Sequence, residues 1–61
     1  MELKDQMIRF RAKHRITQKA LAEKAGVTVQ TVCNVETGQQ TPSKVTAQKI
    51  ILAMEEEENE S

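Results

Sequence analysis

The sequence predicts an all-α fold, a compact bundle of four to five helices, and three observations carry that expectation. No stretch alternates apolar and polar residues with a sustained period of two, and the β-branched residues fall at helical spacing. The two glycines and the single proline stand at the ends of helix-patterned stretches, where they act as stops and starts. The chain has 61 residues, which allows one domain at most, near the lower limit for a self-sufficient hydrophobic core.

The first helix is expected from about Glu2 to Lys13, because Leu3, Met7 and Phe10 recur at i, i+4 and i+7. Thr17 has the chemistry of an N-cap, and Leu21, Ala22 and Ala25 lie on one face of the helix it opens, with Gly26 as the αL stop. Thr28, two residues on, is a second N-cap. Its helix carries Val32 and Val35 inward and stops at Gly38. Gln39-Gln40-Thr41-Pro42 reads as a loop. Pro42-Ser43 then opens a last helix with Ala47, Ile50, Ile51 and Met54 as its apolar stripe. Met7 and Met54 read as core filler, and Met1 as filler or a start residue.

The formal net charge is zero, but the charges are segregated. Residues 1–54 hold all nine basic groups and only four acids (Glu2, Asp5, Glu23 and Glu36), a net +5. Residues 55–61 hold Glu55, Glu56, Glu57, Glu58 and Glu60, a net −5. The chain therefore divides into a domain over 1–54 and an acidic tail over 55–61. The tail is expected to fray and be disordered, since the macrodipole disfavours anions at a helix C-terminus. A basic body suggests a polyanionic partner. The tail aids solubility, competes for the same surface, or engages a basic protein partner.

Several classes are excluded by inventory. One cysteine rules out an internal disulfide framework and a Cys-based zinc cluster, and a lone thiol with no signal-peptide pattern suits a reducing cytosol. No apolar run approaches the roughly 18–20 residues that span a bilayer, so no membrane role is expected. An enzyme is not expected either. His14 has no second His or Cys to share a metal and stands between Lys13 and Arg15, where it is expected to face solvent or phosphate. Cys33 has no base near it in sequence, and the only carboxylate cluster is the tail. No cofactor and no metal are expected.

The informative stretch runs from Thr17 to Gly38. Two helices joined by so short a turn must cross steeply. That requires a small residue where the backbones approach, met by Ala22, and tolerance of positive φ at the corner, met by Gly26. Val27 plugs the corner, while Leu21, Val32 and Val35 fasten the pair to the core. This is the helix-turn-helix arrangement, whose second helix enters the major groove of DNA.

At about 100° per residue, Val32 and Val35 define the buried direction of that helix, and Gln30, Asn34 and Thr37 fall opposite, with Cys33 to one side. Gln30 and Asn34 are an exposed i, i+4 amide pair, and an amide carries the donor and acceptor that match adenine N6 and N7. Two exposed amides alone are ordinary surface; inside this frame and on a basic body they become base-reading candidates. Val29 and Thr31, in the first turn, are placed to meet a thymine methyl or a backbone oxygen. Helix N-termini offer N–H groups to phosphate, which brings in Thr17, Gln18 and Thr28. Thr17 and Thr28 can serve as plain N-caps in any case. Glu36 lies at the flank of the buried face, the wrong place for a charge unless it is paired.

The segment QKALAEKAGVTVQTVCNVETG, with FRAKHRIT before it and TPSKVTAQKI after it, resembles the Cro/repressor-type helix-turn-helix family of phage and bacterial regulators, over roughly residues 4–54. The resemblance implies a lambda-repressor-like bundle of four or five helices that binds double-stranded operator DNA, usually as a symmetric dimer. It implies backbone contacts for Gln18, Thr28 and Thr37, and a structural ion pair between Arg11 and Glu36. It also implies a cytoplasmic, nucleoid-associated protein of bacterial or phage origin. The sequence departs from the family in the turn after the glycine, where Gln39-Gln40 stand in place of the usual Lys or Arg. The expected function is a sequence-specific DNA-binding transcriptional regulator, a repressor. The alternatives are an antitoxin-type DNA-binding subunit, or a protein-interaction module whose acidic tail engages a basic partner.

Overall fold

A computed structural model describes residues 2–60, the side chain of Glu60 excepted. The expectations for Met1 and Ser61 lie outside the described residues. Four helices follow one another: α1 (Leu3–His14), α2 (Gln18–Ala25), α3 (Val29–Thr37) and α4 (Lys44–Glu60). The described residues contain no strand. The Cα radius of gyration is 10.3 Å, close to the roughly 10.5 Å of a fully compact chain of this length.

Each boundary has a local cause. Thr17 sits in extended backbone and its Oγ1 accepts from the Ala20 N–H at 3.0 Å, which starts α2; Thr28 does the same for Thr31 at 3.1 Å and starts α3. Ser43 Oγ accepts from the Thr46 N–H at 3.2 Å at the head of α4. Gly26 and Gly38 end α2 and α3 with φ of +74° and +80°. A Cβ on Gly26 would meet nothing within 4 Å, so the turn needs glycine there for its backbone conformation and not for space. α1 ends on Arg15 in the same left-handed region, at φ +57°, a conformation that costs an L side chain strain.

The core is built from one face of each helix: Met7 and Phe10 of α1, Leu21, Ala22 and Ala25 of α2, Val32 and Val35 of α3, and Ile50, Ala53 and Met54 of α4. Leu3, Ile16 and Val27 pack against its margin. α2 packs on both α3 and α4, and α1 closes the bundle against the same two helices. The α2–α3 corner thus rests on the rest of the molecule, which fixes the direction in which α3 presents its outer face.

Two expectations need correction. Ile51 is 37% exposed and Ala53 takes the buried place in α4, because Ile50 centres the inward stripe and Ile51 lies a further 100° round. His14 does not stand free in solvent: its side chain is only 14% exposed, with its ring 4.5 Å from that of Phe10. The acidic end is helical over its described residues. α4 continues through Glu60, and its anions meet cations from two other helices. Lys13 Nζ lies 3.0 Å from Glu58 Oε2, His14 Nε2 lies 3.3 Å from Glu58 Oε1, and Lys24 Nζ lies 3.2 Å from Glu57 Oε2. The Lys13 and His14 hydrogen bonds hold the Glu58 carboxyl below the usual carboxylate range. These contacts oppose the macrodipole cost at the helix end.

Candidate nucleic-acid interface

Val32 and Val35 anchor α3, and the opposite side of the helix is open. Val29 is 47% exposed. Gln30 and Thr37 are exposed, and Thr31, Cys33 and Asn34 are half-buried. The structure brings Gln30 and Asn34 into direct contact, with Gln30 Nε2 donating to Asn34 Oδ1 at 2.9 Å. Asn34 Nδ2 in turn donates to Oε1 of Gln40, in the loop after α3, at 3.2 Å. Three amides therefore form one hydrogen-bonded row.

The phosphate-contact candidates are partly occupied. Thr17 and Thr28 spend their hydroxyl oxygens on capping, and the Thr28 and Thr31 hydroxyls lie 2.8 Å apart. The main-chain N–H groups of the first two residues of α2 and α3 are unspent inside the helices, as geometry requires. Thr37 Oγ1 donates back to the carbonyls of Cys33 and Asn34 at 3.0 and 3.3 Å. Its hydroxyl must rotate to donate to a phosphate.

Gln18 is tied to a polar cluster beneath the surface. Glu36 is the buried charge of the core, its side chain 5% exposed. Arg11 grips it with two parallel bonds, Nε to Oε2 at 2.8 Å and Nη2 to Oε1 at 2.7 Å, and Gln18 Nε2 adds a third at 3.1 Å. Arg11 also donates to the Ile16 carbonyl at 3.4 Å. Burial by itself would push the Glu36 carboxyl up; the hydrogen bonds from Arg11 and Gln18, with the charge of Arg11, outweigh it and hold the carboxyl below its usual range. The same hydrogen bond, against the opposing effect of burial, raises Arg11. The cluster locks α1, the head of α2 and the tail of α3 together. Gln18 keeps its carbonyl oxygen and its main-chain N–H for other partners.

Two neighbours of α3 have no obvious signal in the sequence. Lys4 Nζ lies 3.6 Å from where a Cβ on Gly38 would stand, so a cation from α1 reaches the C-terminal cap of α3. Gln40 is the other, and only its nearness to Asn34 through a glycine-capped turn could have pointed to it. Arg15, Lys19 and Lys44 are exposed and form no ion pair with any described residue. Among the described residues no group of three or more His, Cys, Asp or Glu is placed to hold a metal ion, and no helix is long and apolar enough to cross a membrane.

A short α2–α3 corner resting on a closed core, with a polar outer face on the second helix, defines a helix-turn-helix protein. A family model described as Helix-turn-helix matches residues 7–60, and the chain belongs to that family, of the Cro/repressor type. It is a family of DNA-binding regulators. The match extends past Met54 through the acidic stretch of α4. No curated protein and no solved structure gives a significant match.

Proposed function

We propose that this protein is a sequence-specific transcriptional repressor that places α3 in the major groove of an operator and binds as a homodimer. The observation that carries the reading is the Gln30–Asn34 amide pair on the open side of α3, held in fixed orientation by the buried valines behind it. Gln30 and Asn34 read base edges, with Val29 and Thr31 beside them against thymine methyls or backbone oxygens. Thr17, Gln18 and Thr28 lead the backbone contacts at the helix N-termini, and Thr37 closes them at the far end of α3. Lys4, beside Gly38, supplies the cation that the Gln39-Gln40 turn lacks. Two copies would present their recognition helices about 34 Å apart to successive half-sites.

The acidic end weighs against the antitoxin-type and interaction-module alternatives, because Glu57 and Glu58 are engaged within the chain. Selection of bound duplexes from a random pool tests the proposal. Replacing Gln30 or Asn34 with alanine is then expected to cost about 1–3 kcal/mol on the selected duplex and to relax preference at one or two base pairs. Equal weakening on selected and random duplexes by both variants refutes base readout.

A further inference from the structure

We propose that Gln40, a loop residue outside the recognition helix, is a positioning residue for base readout: its side chain sets the orientation of the Asn34 amide and, through it, that of Gln30. The inference rests on the base-reading role given above to Gln30 and Asn34.

Gln40 holds Asn34 at two levels. Its main-chain N–H donates to the Asn34 carbonyl at 3.2 Å, which fixes the loop over the end of α3. Its side-chain Oε1 accepts from Asn34 Nδ2 at 3.2 Å. Asn34 Oδ1 is then fixed on the other side by Gln30 Nε2 at 2.9 Å. With Gln30 and Gln40 in these orientations, the Asn34 amide loses both contacts if it alone flips.

The row leaves the amides able to read a base. A primary amide has two N–H donors and two acceptor lone pairs. Asn34 spends one of each in the row and keeps one of each. Gln30 spends one donor and keeps one donor and both lone pairs. One donor and one acceptor on the same amide are what adenine N7 and N6 require. The row thus orients the readers without consuming what they read with. Asn34 without Gln40 would have to be ordered on binding, a cost equivalent to about a two- to tenfold loss of affinity for one polar side chain.

A different role for Gln40, direct donation from its Nε2 to a phosphate, would act on every duplex alike. The loop itself is held by the main-chain bond, which a side-chain replacement leaves in place. These roles separate by measuring binding of the full chain to its selected duplex, to the same duplex altered at the base pair whose preference Asn34→Ala abolishes, and to a random duplex. Gln40→Met is expected to reduce the ratio between selected and altered duplexes two- to tenfold, through weaker binding of the selected one. Combined with Asn34→Ala it should cost no more than Asn34→Ala alone. Gln40→Glu keeps an acceptor for Asn34 Nδ2, so it should restore the ratio while its charge weakens all duplexes together. An unchanged ratio for Gln40→Met, or equal loss on all three duplexes, overturns the positioning role while leaving base readout by Asn34 intact. If Asn34→Ala abolishes no base preference, the readout and the role of Gln40 fall together.

Discussion

Replacing Arg11 with alanine removes two charge-assisted bonds from a carboxylate that is almost fully enclosed, and the consequence can be worked from the geometry. Breaking a buried pair costs about 3–5 kcal/mol because the remaining charge is stranded. Two features lower that figure here: the Arg11 side chain is 24% exposed, and Gln18 stays as a donor to Glu36. A loss of about 2–3 kcal/mol follows. A chain of this length has a total stability of roughly 3–9 kcal/mol, and each kcal/mol moves its melting temperature by about 4–8 °C. Arg11→Ala should therefore melt at least 8 °C below the parent in a thermal scan followed by circular dichroism. The double replacement Arg11→Met with Glu36→Leu removes both charges and should recover much of the loss. The pH dependence gives a second reading of the same cluster. The Glu36 carboxyl titrates below its ordinary value near 4.5, so folding favours its ionised form. Its contribution is complete above that ordinary value and disappears as the pH falls through the lower folded-state value. The parent should lose stability in that acid range and the double variant should lose less. A melting temperature for Arg11→Ala within 2 °C of the parent would show that the pair does not hold α1 to α3, and would sink the argument.

Other substitutions test the remaining elements. Arg15→Gly relieves a left-handed residue and should raise stability by about 0.5–1 kcal/mol in urea denaturation, after the extra unfolded-state freedom of glycine is counted; a loss would mean that the arginine side chain anchors the turn. Lys4→Ala should weaken selected and random duplexes alike and reduce the slope of log affinity against log salt by about one phosphate contact, whereas an unchanged slope leaves Lys4 to the α3 dipole and to Glu2, whose Oε2 lies 3.7 Å from its Nζ. Glu57→Gln with Glu58→Gln removes two negative charges beside Lys13 and Lys24 and should tighten binding to random duplex roughly two- to fivefold at low salt, with the gain fading toward physiological salt. Equal affinities at low salt would remove any electrostatic influence of this end of α4 on DNA.

What could be read in the sequence was what depends on local rules. Thr17, Thr28, Gly26 and Gly38 act through their own backbone and the next turn, so their positions marked the ends of α2 and α3 without knowledge of anything distant. The buried direction of α3 followed from Val32 and Val35 for the same reason. The row from Gln30 through Asn34 to Gln40 was legible only in its first half, because helical spacing brings residues 30 and 34 together while a turn of unstated shape brings residue 40 back. Lys4 was invisible, since nothing in the local pattern says that the head of α1 reaches Gly38. The contacts of the acidic end were not legible, because the macrodipole argument considers one helix alone. Lys13 and His14 come from one distant segment and Lys24 from another, and their meeting with Glu57 and Glu58 is a tertiary fact.

That tertiary fact also explains how a chain of zero net charge can carry a surface suited to a polyanion. An ionic interaction with phosphate is decided within a Debye length, about 8 Å at physiological salt. Glu57 and Glu58 lie 13 and 14 residues along α4 from Lys44, which is roughly 20 Å at 1.5 Å per residue, more than two screening lengths. Lys44 follows the loop that leaves α3, while Arg15 and Lys19 flank the N-terminus of α2. Lys44 is thus set apart from Glu57 and Glu58, which are held at the far end of α4 against the C-terminal turns of α1 and α2. A flexible acidic tail would lack this separation, because a short tether lets five glutamates sample the basic face at high effective concentration. The helical path of α4 is what sets Glu57 and Glu58 apart from Lys44, and Lys13, His14 and Lys24 meet that end of the helix.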